Sequence, residues 1–274
     1  AYHPFHCPCR ITTAAAPIRM PSNTVMTILD EIVSETRAAL ESALDRDAVA
    51  AGAAGDAPPT RSLIKALDGP GHFRVIAEFK RKSPSGGEIR PGSTPQEVVL
   101  AYEAAGAAAI SCLTNQTYFG GTLQDLKAVK ASVEIPVLRK DFVVDRRQLL
   151  EARGAGADAV LLIAECLPGQ ALDDLAGEAL ALGLDVLLEI HDRDELPRAL
   201  SWAEQHPSQV RLGINNRNLR TMTTDLGHIE ALLPQLPNPS KVVAESGLRE
   251  SADLARMQRA GIRNGLIGAV SYTH

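Results

Sequence analysis

In the stretch Val75–Gly86, VIAEFKRKSPSG, an acid and an ammonium stand two residues apart, Glu78 and Lys80. On a strand, side chains repeat every two residues, so both project from one face. Ser83-Pro84-Ser85-Gly86 then stops the strand and opens a polar loop. Similar groups end four further aliphatic runs. Lys140 is in phase with Leu138 in IPVLRKDF, Glu189 with Leu187 in DVLLEIH, Asn215 with Gly213 in LGINNRNL, and Glu245 with Val243 in VVAESG; Arg217 follows Asn215. Carboxylates and ammoniums gathered at equivalent strand ends suit general acid–base work, because such crowding shifts pKa values towards it. The plainer alternative is a ring of structural ion pairs, Lys80, Lys140 and Arg217 against Glu78, Glu189 and Glu245. Burying ions costs several kcal/mol each before pairing, which favours a functional reason for keeping them.

A phosphate site is also readable. Glu245-Ser246-Gly247 leads into a helix predicted from Ser251, and Leu266-Ile267-Gly268 ends the last strand. Glycine lets backbone N–H groups come close to an anion, and a helix N-terminus favours one. Ser83 adds a hydroxyl from the first loop. Each glycine alone reads equally well as a turn.

The elements that must position these groups alternate. Strands are predicted at Val75–Phe79, Ala108–Leu113, Pro136–Arg139, Ala157–Ile163, Asp185–Ile190, Val210–Ile214, Lys241–Ala244 and Gly265–Ile267. Helical patterns fall between them, and several end at a glycine suited to the positive φ of a helix C-terminus: AAGAAAISCL, GAGADAVLLI, ALGLDVLLEI, RAGIRNGLIG. Near-continuous aliphatic strands fit a parallel sheet covered on both faces. Eight such units predict an α/β chain folded as a (β/α)8 barrel, whose active site lies at the C-terminal strand ends and whose last loops commonly hold phosphate. An open doubly wound sheet would more often carry a glycine fingerprint after its first strand, where KRKSPSGG stands instead. Ahead of the barrel, residues 23–72 predict a helical extension, with Ile28, Leu29, Ile32 and Val33 on one face and a short helix near Ser62–Leu67.

Composition sets the outer bounds. At 274 residues, 45% hydrophobic and only 4% aromatic, the chain has a core of aliphatic side chains. A net charge of -5 argues against a nucleic-acid surface, and no apolar run approaches the roughly 18 residues of a membrane span. Cys7, Cys9, Cys112 and Cys166 form no disulfide framework, so a reducing, cytoplasmic setting is expected. His3, His6, Cys7 and Cys9 match no common zinc spacing. His191, His206 and His228 are scattered and read as surface residues, Trp202 as helix packing, and Cys112 and Cys166 as small buried hydrophobes.

As an ordered set, IAEFKRKSPSG, SCLTNQTYFGG, PVLRKDF, GADAVLLI, LLEIH, GINNRNL, VAESG and LIG resemble the indole-3-glycerol phosphate synthases of tryptophan biosynthesis, from about Ile28 to Gly268. The resemblance implies a (β/α)8 barrel with an N-terminal helical segment and no metal or organic cofactor. It implies the substrate 1-(2-carboxyphenylamino)-1-deoxyribulose 5-phosphate, closed to an indole with loss of CO₂ and water. By motif, Lys140 resembles the general acid, Glu78 the catalytic acid residue of the first strand, Lys80 the group that binds the substrate carboxylate, and Glu189 the acid–base partner in dehydration. Asn215 orients substrate, and Arg217 and Glu245 line the mouth. Ser83, Ser246, Gly247 and Gly268 resemble the phosphate cradle, and Phe119 and Phe142 the apolar walls for the anthranilate ring. A partner enzyme of the same pathway stays open. So do two other readings, another phosphosugar barrel enzyme such as an isomerase of that pathway and a non-catalytic barrel; the set Glu78, Lys80, Lys140 and Glu189 speaks against the first of them.

Two departures stand out. Asn115 replaces the family's acid after Leu113-Thr114, which predicts altered loop support. After Gly268 the family continues with a small polar residue and a final helix, whereas this sequence reads AVSYTH. The expectation is a barrel spanning 73–268 without its last helix, residues 269–274 as a non-native tail, and residues 1–22 as a disordered or non-native leader with Met20 or Met26 as the natural start.

Overall fold

The computed structural model describes residues 27–41, 54, 55, 57–71, 73–83, 87, 88 and 92–268, with only the backbone at Ser83 and Glu88. The leader with His3, His6, Cys7 and Cys9, most of the Ala/Gly/Pro-rich stretch between residues 48 and 59, and residues 269–274 lie outside them.

Eight parallel strands close into one barrel: β1 (Arg74–Phe79), β2 (Ala109–Leu113), β3 (Val137–Lys140), β4 (Ala159–Ile163), β5 (Asp185–Ile190), β6 (Val210–Asn215), β7 (Val243–Glu245) and β8 (Asn264–Ile267), with β8 pairing back onto β1. The helices between and before them are α1 (Ile28–Glu41), α2 (Leu63–Leu67), α3 (Pro95–Ala104), α4 (Gln116–Phe119), α5 (Leu123–Ser132), α6 (Arg146–Gly154), α7 (Ala171–Ala181), α8 (Leu196–Gln205), α9 (Gly227–Leu232) and α10 (Ser251–Arg259). Strand β4 is buried throughout because both of its faces are covered, one by the barrel interior and one by helices. Among the described residues no helix follows β8, and a groove of about 410 Å³ lies between α3 and α10 over Val75, Ala77 and Ile267.

Local chemistry sets the boundaries. Thr94 and Glu97 form a capping box that starts α3, and Thr122 with Asp125 starts α5 in the same way. Thr27 and Asp30 exchange similar bonds at the start of α1. Asn115 accepts from the Tyr118 amide and so caps α4. Strand β7 begins at Val243 rather than Lys241, because Pro239–Lys241 turns as a 3-10 helix first.

The barrel floor is sealed by the chain ahead of β1. Asp158, fully buried before β4, accepts from the backbone N–H groups of Arg61 and Val137 and from Lys130 Nζ. Asp185, at the start of β5, accepts from Ser62 Oγ and the Ile64 amide, which fixes α2 under the strands. Arg211, inside the barrel near its floor, donates to Asp68 Oδ1 at 2.7 Å. Helix α1 crosses the other end: Tyr118 Oη donates to Glu35 Oε2 at 2.9 Å, and Arg147 donates to Leu40 O at 2.7 Å.

Candidate active site

Alternate residues of each strand point into the barrel, so the last inward residue of each strand faces the mouth. The register puts these ends level: Ile163 pairs with Glu189, Glu189 with Gly213, Asn215 with Glu245, and Glu245 with Leu266. Together they line a cavity of about 240 Å³ that contains Glu78, Lys80, Phe119, Lys140, Phe142, Glu189, Asn215, Arg217, Glu245, Ser246, Gly247 and Gly268. Of the residues singled out from the sequence, Ser83 is described by its backbone alone. Its backbone pairs with Gly87 in a two-residue hairpin, and its side chain lies outside the description.

Two ion clusters face each other in the cavity. At the end of β1, Lys80 Nζ donates to Glu78 Oε1 at 2.6 Å. Gly268 makes room for this pair, because a Cβ there would stand 2.9 Å from Lys80 Nζ and 3.0 Å from Glu78 Oε1. Opposite, Lys140 Nζ lies 3.1 Å from Glu189 Oε2 and 3.5 Å from Glu245 Oε2. Asn215 Nδ2 donates to Glu189 Oε1 at 2.8 Å, and Asn215 Oδ1 accepts from the Arg217 amide.

Burial and charge pull against each other here. Burial disfavours the ammonium of Lys140, yet the neighbouring carboxylates, Glu189 foremost, outweigh it and hold its pKa above that of an ordinary lysine. Burial likewise pushes Glu189 up, but the Lys140 charge and the Asn215 amide bring it below its usual value. Glu245 goes the other way: burial and the charge on Glu189 raise it well above the carboxylate range, and Lys140 offsets only part of this. The cavity therefore places a charged donor, an ionised acceptor and a third, proton-favouring carboxyl within one cluster.

Behind the cavity, Arg139 and Asp141 face outward on either side of Lys140. Arg139 donates to Thr114 Oγ1, Gln148 O and Asp141 Oδ2, while Asp141 Oδ1 accepts from the Phe142 amide and Gln148 Nε2 donates to Phe142 O. This network sets the direction of Lys140 and the place of Phe142.

The loop after β7 has unusual backbone. Ser246 has φ 62° and Gly247 φ 85°, both in the left-handed region that disfavours a residue such as serine. Asn216, buried beside it, holds the turn by donating from Nδ2 to Glu245 O and Ser246 O. Exposed backbone and the Ser246 side chain at this turn make an anion site chemically reasonable.

Several contributors were not read from the sequence. Arg249 lines the cavity from the loop after β7, where strand parity gives no direction. Asn216 is equally silent, since its neighbour Asn215 takes the inward position. Glu165, after β4, accepts from the amides of His191 and Asp192 and fixes the chain as it leaves β5. The reading of the histidines changes as well: His191 and His228 are part-buried and stacked with ring centroids 4.3 Å apart. His191 Nδ1 donates to Asn215 O and His228 Nε2 to His191 O, since a carbonyl can only accept. Trp202 packs on its helix as expected and donates to Asp173. Cys112 and Cys166 are buried free thiols.

Comparison with known proteins gives three findings. Residues 29–271 match the family model described as indole-3-glycerol phosphate synthase. The chain is 45% identical over 248 residues to the indole-3-glycerol phosphate synthase of Rhodopirellula baltica, covering 89% of this chain and 93% of that protein. It is 44% identical to that of Bacteroides thetaiotaomicron over 213 residues, 78% of this chain and 79% of that one. A solved phosphoribosylanthranilate isomerase from Thermotoga maritima shares the barrel fold, with a TM-score of 0.51 at 14% identity, covering 74% of this chain and 90% of that one.

Proposed function

Because the chain belongs to the indole-3-glycerol phosphate synthase family, carboxy-lyases of tryptophan biosynthesis acting on a phosphosugar, we propose that its barrel mouth closes 1-(2-carboxyphenylamino)-1-deoxyribulose 5-phosphate to indole-3-glycerol phosphate. The observation that supports this most is the Lys140 ammonium held between Glu189 and Glu245, opposite the Glu78–Lys80 pair.

In this reading the substrate phosphate sits on the turn at Ser246 and Gly247, with Gly268 and the Ser83 loop beside it. The anthranilate ring lies between Phe119 and Phe142, and Lys80 binds its carboxylate. Arg217 and Asn215 orient the sugar hydroxyls. Lys140 gives its proton to the ketone oxygen as the ring carbon bearing the carboxylate attacks the carbonyl carbon. An ammonium there both stabilises the developing oxyanion and supplies the proton. The carbon–carboxylate bond then breaks, CO₂ leaves, and its electron pair restores the ring. In dehydration Glu189 takes the proton from the carbon next to nitrogen. Lys80 protonates the departing hydroxyl, with Glu78 holding it in place. The helical segment ahead of β1 serves as floor and rim of the barrel, and the setting is the cytoplasm.

The test is direct. Purified protein given the carboxyphenylamino substrate develops indole fluorescence, and Lys140→Ala does not. Absence of fluorescence from folded wild-type protein would overturn the assignment.

A further inference from the structure

The Lys140 cluster holds one ammonium between two carboxyl groups, and the Glu78–Lys80 pair is already balanced. One carboxyl is thus in excess. Both oxygens of Glu245 are buried with no hydrogen-bond donor of their own, whereas Glu189 has Asn215 Nδ2 and Lys140 Nζ. The Glu245 side chain folds back over β6, into space that Gly213 leaves free; a Cβ at 213 would run into Glu245 Oε1. An ionised carboxylate buried without a hydrogen-bond donor is costly, while a carboxylic acid beside a carboxylate satisfies both.

We infer that Glu245 carries a proton in the resting protein and donates it, as a hydrogen bond, to Glu189. The charged groups facing Glu245 are Lys140 from β3, Glu189 from β5, and, across the cavity, Glu78 on β1 and Lys80 just past its end; Arg217 and Arg249 stand at the rim. The marked upward pull of burial and of Glu189 on its pKa agrees with this. Glu245 then acts through Glu189, as a positioning residue. It fixes the carboxylate that takes a proton in dehydration, and as a neutral group it does not repel a substrate that brings a carboxylate and a phosphate. The catalytic consequence rests on the synthase reading; the protonation state does not.

Infrared difference spectra test the proton without substrate. At neutral pH, wild type minus Glu245→Gln shows a protonated-carboxyl C=O band, and in Glu245→Asp that band shifts in position instead of vanishing. A difference spectrum with no such band overturns the inference, whatever the activity. With substrate, Glu245→Gln keeps KM within about twofold and leaves the basic limb of kcat/KM in place, because the amide also donates and is also neutral. If the basic limb instead moves about one unit to lower pH, Lys140 has lost an anionic neighbour and Glu245 was ionised. Should Glu245→Gln not fold, Glu245→Asp against wild type carries the infrared comparison alone, and an unshifted band counts against the inference. A wild type with the band but no indole fluorescence removes the synthase reading and leaves the protonated carboxyl standing.

Discussion

Arg139 and Asp141 close a 3.1 Å ion pair on the outer side of β3, with Lys140 between them pointing the other way. Their side chains are only 4% and 7% exposed, so solvent screens little of the interaction. Replacing Asp141 by Ala leaves the buried Arg139 with Glu151, 3.4 Å away, as its remaining carboxylate, and a loss of about 1–3 kcal/mol in unfolding free energy is expected by urea titration. A loss below about 1 kcal/mol would mean that the pair behaves like a surface bridge.

In the proposed reaction, turnover depends on the proton held by Lys140. Lys140→Met is expected to lower kcat by about 10²–10⁴-fold in the indole fluorescence assay. Lys140→Arg keeps the charge and the partners Glu189 and Glu245, yet it does not restore turnover, since a guanidinium does not release its proton. Wild-type turnover in the arginine variant would show that charge alone suffices.

Gly247 is expected to govern phosphate affinity. An alanine there keeps φ near 85° only with strain of about 1–2 kcal/mol, and its Cβ would stand 3.0 Å from Thr224 and Leu226. KM in Gly247→Ala should rise by about tenfold with a smaller change in kcat. Inorganic phosphate should compete with substrate in the wild type and less well in the variant. Equal competition in both would place the phosphate elsewhere.

Acid stability should report the histidine pair. Burial, and then the neighbouring His191, lowers the pKa of His228 from 6.5. As pH falls, the unfolded chain takes up this proton before the folded one. The stabilising contribution is therefore complete above pH 6.5 and lost as pH drops through the lower, folded value. His228→Gln should give a shallower loss of unfolding free energy on that acid side than wild type. Parallel curves would show that the imidazole titrates alike in both states.

What the sequence made legible was parity. Glu78, Lys140, Glu189 and Glu245 each follow an inward aliphatic residue by two, Asn215 follows Gly213 and Lys80 follows Glu78 at the same spacing, and a strand has no freedom to send such a residue elsewhere. The barrel followed from the same regularity, repeated eight times. Parity ends with the strand, and so did the reading. Arg249 and Asn216 sit in loops, where direction is set by hydrogen bonds to distant backbone, such as Asn216 Nδ2 to Ser246 O. The stacking of His191 on His228 joins residues 37 positions apart and has no local signature. Boundaries shifted where a turn or a buried anchor took precedence: Pro239–Lys241 delays β7, and Asp158, committed to three donors on the floor, holds back the start of β4.

The sealed floor also bears on the order of assembly. Ser62 and Ile64 find their acceptor in Asp185, which follows Ser62 by 123 residues, and Arg61 finds its acceptor in Asp158, 97 residues on. During synthesis the plug leaves the ribosome before the socket exists. Loop closure over that span costs entropy that only finished strands can return, so α2 must wait, undocked, until β4 and β5 have been made. The earliest of these segments to be translated is then locked only once the middle strands of the barrel stand, so its docking follows strand formation rather than starting it.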